Sequence, residues 1–356
     1  MFYYLSFLHI FSVFHYISFR FLAAIITSLS ISILYGKIFI KLLKKYQIKQ
    51  IIRIDGPQSH NIKKNTPTMG GILIIGSILF TTLLWSKLNN FYICLCIISL
   101  ILFSLVGFAD DYLKLKYKNS RGIGAKYKYF MQSILALIIS FILYFHANNQ
   151  VQISLLLPFF KHKVINLGFF YIILNYFTII GSSNAVNLTD GLDGLVIVPV
   201  ILISCGLAIL SYIMGNINLS NYLLFPYLHH VSELTVLCGA IIGSGMGFLW
   251  FNCYPAQIFM GDIGSLSLGA ILAIITIIIR HEILFLIMSL VLIIETISVI
   301  LQVTSYKLRN KKRIFLMAPL HHHFELQGIQ ETKIITRVWI INAILVILAL
   351  ATLKLS

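Results

Sequence analysis

The chain of 356 residues is 59% hydrophobic and only 11% charged, with a mean hydropathy of +0.92 and a formal net charge of +16. A soluble domain of this size could not keep that much apolar surface out of water, so soluble classes are excluded and an all-α, polytopic integral membrane protein is expected. Five cysteines (Cys94, Cys96, Cys205, Cys238, Cys253) are odd in number and lack CxxC spacing, which argues against a disulfide framework or a zinc site.

In chain order, the N-terminal run MFYYLSFLHIFSVFHYISFR has no basic start and no small-residue cleavage site, so it is expected to stay on the protein. About ten apolar stretches follow, each of roughly 18 to 23 residues, the length that crosses about 30 Å of hydrocarbon as a helix. They lie near 19–43, 69–88, 91–109, 128–147, 168–186, 194–214, 234–252, 263–280, 283–305 and 334–354. No linker or repeat interrupts them, so residues 1–356 read as a single transmembrane domain.

If the spans alternate, the loops near 37–68, 109–128 and 306–337 carry 21 of the 27 Lys and Arg residues. The positive-inside rule then makes those loops cytoplasmic and puts both termini on the outer, periplasmic side. This basic surface needs no nucleic acid to explain it: topology and a lipid bilayer with anionic headgroups suffice. All six aspartates (Asp55, Asp110, Asp111, Asp190, Asp193, Asp262) fall on the same inner side. Outer loops need solubility too, so so complete a segregation implies that the inner face uses carboxylates.

The segment KKNTPTMGG (63–71) offers Lys63, Thr68 and glycines where the second span starts, either an anion site at a helix N-terminus or a flexible entry loop. In FADDYLKLK, Asp110 and Asp111 end a helix that runs inward, where the macrodipole disfavours acids. Asp110 pairing with Lys114 at i,i+4 would account for one of them; a cation, or a substrate carrying one, would account for both. SSNAVNLTDGLDGL (182–195) sets Asn187, Asp190 and Asp193 among Gly191 and Gly194, and either aspartate would also serve as a helix cap. An EF-hand is excluded by the missing ligand ladder and closing glutamate.

Asn252, Phe259, Asp262 and Ser265 cluster in WFNCYPAQIFMGDIGSLSLG (250–269), where Asp262 and Ser265 would again be a simple cap; upstream, Gly243 and Gly247 have the spacing of close helix packing. Glu295 and Gln302 fall inside the ninth span, as functional candidates or as an interhelical pair. His321, His322 and His323 follow the basic run YKLRNKKR. Adjacent side chains diverge, so these histidines suit donors to phosphate oxygens better than a zinc site.

Neither a P-loop nor a Rossmann glycine pattern is present. Carboxylates beside lysines on one membrane face suit phosphoryl transfer with Mg2+, a hard ion usually held by one or two carboxylates together with substrate phosphates.

The strings TPTMGG, FADDYLKL, NAVNLTDGLDGL, FMGDIGSLSLG and PLHHHFELQG, in that order, resemble the phospho-N-acetylmuramoyl-pentapeptide-transferase family, within the polyprenyl-phosphate N-acetylhexosamine-1-phosphate transferases. The resemblance runs from about residue 20 to the end; Asn65 stands where a glycine usually precedes TPTMGG. It implies ten transmembrane helices, a homodimer in a bacterial inner membrane, and a cytoplasmic active site with Mg2+. The implied reaction moves phospho-MurNAc-pentapeptide from UDP-MurNAc-pentapeptide to undecaprenyl phosphate, giving lipid I and UMP for peptidoglycan synthesis. It further implies Asp262 as the metal ligand, Asp110 and Asp111 at the lipid phosphate, and Asn187, Asp190, Asp193, Gly194, Leu195 and Phe259 on the uridine and sugar-phosphate side. Lys63, Thr68, Lys114, Lys118, Lys126, Asn252, Gln302, His321, His322 and His323 match other polar positions of the cleft.

Two other readings remain open at this point. One is a sister transferase that uses UDP-GlcNAc, against which PLHHHFELQG speaks. The other is a cation-coupled transporter, which wants acids at mid-depth, where only Glu295 stands.

Overall fold

The computed structural model describes residues 1–5, 9–46, 48, 66–117, 122–147, 149–157, 164–309 and 311–354. Lys63 and Lys118, two of the expected site residues, lie outside them. The helices are α1 (Phe2–Leu5), α2 (Ile17–Lys45), α3 (Gly71–Trp85), α4 (Phe91–Tyr117), α5 (Ala125–His146), α6 (Phe170–Thr189), α7 (Ile197–Met214), α8 (Ile217–Tyr222), α9 (Leu234–Asn252), α10 (Gly261–Ile279), α11 (Glu282–Met288), α12 (Leu290–Leu308), α13 (Leu320–Leu326) and α14 (Glu331–Ala351). Among the described residues, eight long helices are apolar enough to span a membrane. At the other two expected spans stand α3, which is apolar but shorter, and α6, which carries Asn175, Ser182, Ser183, Asn184 and Asn187.

Helix α2 buries small residues and exposes large ones. Along α2, Ala24, Ser28, Ser32 and Gly36 face inward, while Leu22, Ile26, Leu34 and Ile38 are 58 to 69% exposed. Lipid is as apolar as leucine, so in a membrane packing rewards close backbone approach. The expected glycine seam forms here: a methyl at Gly243 or Gly247 of α9 would overlap Ile25 or Ser32 of α2. The Ser28 hydroxyl donates to the Ala240 carbonyl across the seam at 2.8 Å.

Helix α10 is the axis of the bundle, buried from Ile263 to Ile279 and packed against α3, α4, α6 and α7. At 19 residues it is about 28 Å long, so its first turn and its end mark opposite sides of the bundle. The end remote from Asp262 carries closed ion pairs. Arg20 grips Glu233 with both guanidinium arms, at 2.7 and 2.6 Å, and also donates to the Trp85 carbonyl at 3.1 Å. Arg280, just past α10, pairs with Glu282 at 2.8 Å and donates to the Ser154 carbonyl. That carbonyl belongs to an antiparallel hairpin of β1 (Ser154–Leu156) and β2 (Val164–Asn166), in register Leu155 to Ile165, which the sequence reading did not anticipate.

Two boundaries differ from expectation. The fourth helix does not stop at Asp110 but runs on to Tyr117, so both acids lie two turns inside it; the lysines after them sustain the helix at its electronegative end. The ninth span is divided at Ser289, whose hydroxyl bonds back to the Phe285 carbonyl at 2.6 Å and competes with the helical ladder.

Candidate active site

The site is assembled where α4 and α10 touch. Gly107 of α4 lies directly on the backbone of Asp262 and Ile263, where any side chain would collide. One helical turn on, this contact places Asp110 and Asp111 beside Asp262 in the first turn of α10, where the helix dipole favours an acid. Oxygens of the three carboxylates lie within 4.8 Å of one another. Asp111 Oδ2 also accepts the backbone N–H of Ile263 at 3.3 Å, capping α10 from a neighbouring helix. Asp262 is therefore not a cap, and neither is Ser265, whose hydroxyl donates to Gly261 O at 3.0 Å.

Two lysines sit among the three acids. Lys114 Nζ stands 2.6 Å from Asp110 Oδ2, 3.5 Å from Asp111 Oδ1 and 2.8 Å from Asp262 Oδ2. The expected pairing at i,i+4 is thus present but shared among three carboxylates. Lys128, in the first turn of α5, reaches the same Asp262 oxygen at 2.7 Å and Asp110 at 3.7 Å. The resemblance implies Lys126, which is exposed on that turn; Lys128 is the residue that enters the cluster. Its signal was present, since Lys128 is the first residue of the predicted fourth span and so stands at the membrane mouth. Asn187 of α6 donates to Asp262 Oδ1 and to the Ser265 hydroxyl, both at 2.8 Å. The backbone N–H of Ile123 donates to Asp110 Oδ1 at 2.7 Å.

Beside this cluster the segment 67–71 docks on the entry to α10. Gly70 and Gly71 N–H donate to the carbonyls of Phe259 and Met260, and Phe259 N–H donates to Pro67 O. Those N–H groups are spent on protein, so the start of α3 is not an anion site. Half-buried Thr68 sits by Gly261, where an added methyl would meet both its hydroxyl and Asp111 Oδ2.

The turn after α6 forms a second, adjoining group. Asp190 ends α6; the protein packed around it, then the charges of Asp262, Asp111 and Asp193, push its carboxyl up to about 8. Asp193 Oδ2 accepts from Ala256 N–H at 2.9 Å, while its own N–H donates to Glu331 at 3.1 Å. Gly194, at φ +75°, donates to Asn252 Oδ1 at 3.0 Å, and Trp339 Nε1 donates to its carbonyl at 3.2 Å. Neither aspartate caps α7, which begins without a side-chain cap. Leu195 is wholly buried with Leu192, Ile334 and Ile335 and anchors the turn to α14. Glu331 and Trp339 were not singled out in the sequence, because a helix-start glutamate and a membrane tryptophan carry no motif. A cleft of about 540 Å³, lined by Tyr254, Glu325, Gln330 and Glu331, opens beside this turn.

The three histidines diverge, as adjacent side chains must. His321 Nδ1 faces Glu295 and His322 Nδ1 faces Glu325, each at 3.3 Å, while His323 Nδ1 accepts Leu316 N–H at 3.2 Å. Among the described residues the only metal-like grouping is the aspartate trio. Gln302 and Glu295 do not pair with each other. Gln302 binds the backbone of Ile314 and Phe315 through three hydrogen bonds and so fixes the approach to α13.

An all-oxygen donor set of clustered carboxylates fits a hard divalent cation. Comparison with known proteins agrees with this chemistry. The Glycosyl transferase family 4 model matches residues 91–280, and the phospho-N-acetylmuramoyl-pentapeptide-transferase signature 1 matches residues 63–75. The phospho-N-acetylmuramoyl-pentapeptide-transferase of Vesicomyosocius okutanii subsp. Calyptogena okutanii (strain HA) is 54% identical over 345 residues, covering 97% of this chain and 95% of that relative. The helices, the aspartate trio and these matches together place the chain in the phospho-N-acetylmuramoyl-pentapeptide-transferase family.

Proposed function

We propose that this protein transfers phospho-MurNAc-pentapeptide from UDP-MurNAc-pentapeptide to undecaprenyl phosphate in a bacterial cytoplasmic membrane, yielding lipid I and UMP for peptidoglycan synthesis. The observation that carries the reading is the convergence of Asp110, Asp111 and Asp262 with Lys114 and Lys128 at one end of a membrane bundle. The concentration of Lys and Arg in the loops at that end supports a cytoplasmic site.

In this reading Asp262, with Asp110 and Asp111, holds Mg2+. Bound there, the ion would neutralise diphosphate oxygens and the charge that moves between them. Lys114 and Lys128 offer ammonium groups to the same phosphates, in a site already arranged to receive charge. A phosphate monoester has its second pKa at about 6, so the lipid phosphate arrives largely dianionic and needs no strong base; Asp110 serves to position it. One lipid phosphate oxygen attacks the β-phosphorus of the nucleotide sugar. The bond from that phosphorus to the bridging oxygen breaks, and UMP leaves with the bridging oxygen and its electron pair. One pyrophosphate linkage replaces another, so the reaction runs readily in both directions. The turn carrying Asp190, Asp193 and Gly194 receives the nucleotide-sugar side, with Asn187 joining it to the acids.

Purified protein offered undecaprenyl phosphate, Mg2+ and either UDP-MurNAc-pentapeptide or UDP-GlcNAc is expected to release UMP from the first. Preference for the second would replace this reading by the sister transferase, and release from neither would end it. A cation-coupled transporter is disfavoured because the aspartates gather at one end and Glu295 already faces His321.

A further inference from the structure

Glu295 stands six residues into α12. It is 5% exposed, whereas Ile294 and Ile297 beside it are 44% and 46% exposed, so the carboxylate points into the bundle and the isoleucines point away. An acid inside a membrane helix is costly unless it is partnered, and it marks function by default. Its partner is His321 at the start of α13. Glu295 Oε2 lies 3.3 Å from His321 Nδ1 and accepts the His321 backbone N–H at 3.4 Å. Facing a carboxylate, Nδ1 is the ring nitrogen that carries a proton.

The opposite edge of the ring is the informative one. His321 is 1% exposed and its Nε2 is buried with no hydrogen-bond partner among the described residues. That nitrogen rests on Gly191, so closely that a methyl there would overlap it. Gly191 sits between Asp190 and Asp193 in the turn after α6. Glu295, His321 and Gly191 therefore form a strut from a membrane helix, through the histidine helix, to the turn. A buried polar nitrogen placed against a backbone is expensive to keep, and it is kept where it sets the height of that turn.

We infer that Glu295 is a positioning residue of the transferase reaction, holding His321 so that its ring fixes the 190–195 turn for the nucleotide sugar. This inference rests on the transferase reading above. The strut touches the turn assigned to the nucleotide sugar and not Asp110, which positions the lipid phosphate, so it distinguishes the two substrates. Steady-state UMP release is measured with each substrate varied in turn, for the wild type, Glu295→Ala, Glu295→Gln, His321→Ala and the double variant Glu295→Ala/His321→Ala. Glu295→Ala is expected to raise KM for UDP-MurNAc-pentapeptide about tenfold, with KM for undecaprenyl phosphate within about twofold of wild type. Glu295→Gln, whose amide oxygen still accepts both bonds, restores most of the loss. His321→Ala gives the same one-sided shift, and the double variant is no worse than either single one. Glu295→Asp, which keeps the charge but shortens the reach, shows a smaller shift of the same kind and serves if Glu295→Ala does not fold. Unchanged KM values, equal shifts for both substrates, or multiplying single effects overturn the inference. A wild type that releases no UMP defeats the transferase reading instead.

Discussion

The two ends of the bundle both bury acids beside bases, and they do so in opposite ways. At the end remote from Asp262, Arg20 and Glu233 are matched one to one by two short bonds, and the pair is closed, with side chains 1% and 9% exposed. At the other end two lysines are shared among three carboxylates, and Lys114 is still 28% exposed. A closed bidentate pair has satisfied its own electrostatics and leaves nothing for a ligand. An open, unevenly matched cluster has not, and that asymmetry separates a site from a staple. The lysines illustrate it: both ammonium groups crowd one oxygen of Asp262, an arrangement a divalent cation would displace or extend.

The comparison is broken most severely at Asp262. Asp262→Asn is expected to lower kcat by about 10³-fold or more while leaving the melting temperature near that of wild type, read by UMP release and by thermal unfolding in detergent. Arg20→Met should do the reverse. It strands Glu233 in a dry setting at a cost of about 3 to 5 kcal/mol, so stability falls while the KM values of the surviving folded protein stay put. Lys128→Met is expected to cost about 10²-fold in kcat, and Lys126→Met on the same turn far less; equal losses would return the role to the residue the motif suggested.

The smallest effect is one of pH. With its carboxyl pushed up to about 8, Asp190 holds a proton in the folded metal-free protein that the unfolded chain has already released. The folded state therefore binds more protons between the ordinary carboxylate range and about 8, and stability declines as pH rises through that interval. Thermal melts in a chelator from about pH 6 to about pH 9 should show this decline, and Asp190→Asn should flatten it.

Much of this was legible in the sequence, because lipid imposes a simple length and hydropathy code. Eight of the expected spans coincide with long apolar helices among the described residues, and Gly243 and Gly247 form the expected packing seam. What was illegible depends on contacts between distant segments. That α4 runs on past Asp111 follows from lysines that repay the helix end, and that Asp111 caps α10 follows from the Gly107 contact. Lys126 and Lys128 differ only in the face of α5 they occupy, which a motif does not record. Asp193, Asn252 and Gln302, expected on the substrate side, each accept a hydrogen bond from the backbone of a neighbouring loop. Such residues shape a site by holding its walls, a role that composition and spacing do not reveal.

The aspartate trio is proposed to work by holding a divalent cation on diphosphate oxygens. The most direct test of that role is UMP release from UDP-MurNAc-pentapeptide and undecaprenyl phosphate after exhaustive chelation, followed by titration with Mg2+. Loss of turnover and its saturable return with Mg2+ are expected in the wild type, with no return in Asp262→Asn; turnover that survives chelation unchanged would rule out the metal role.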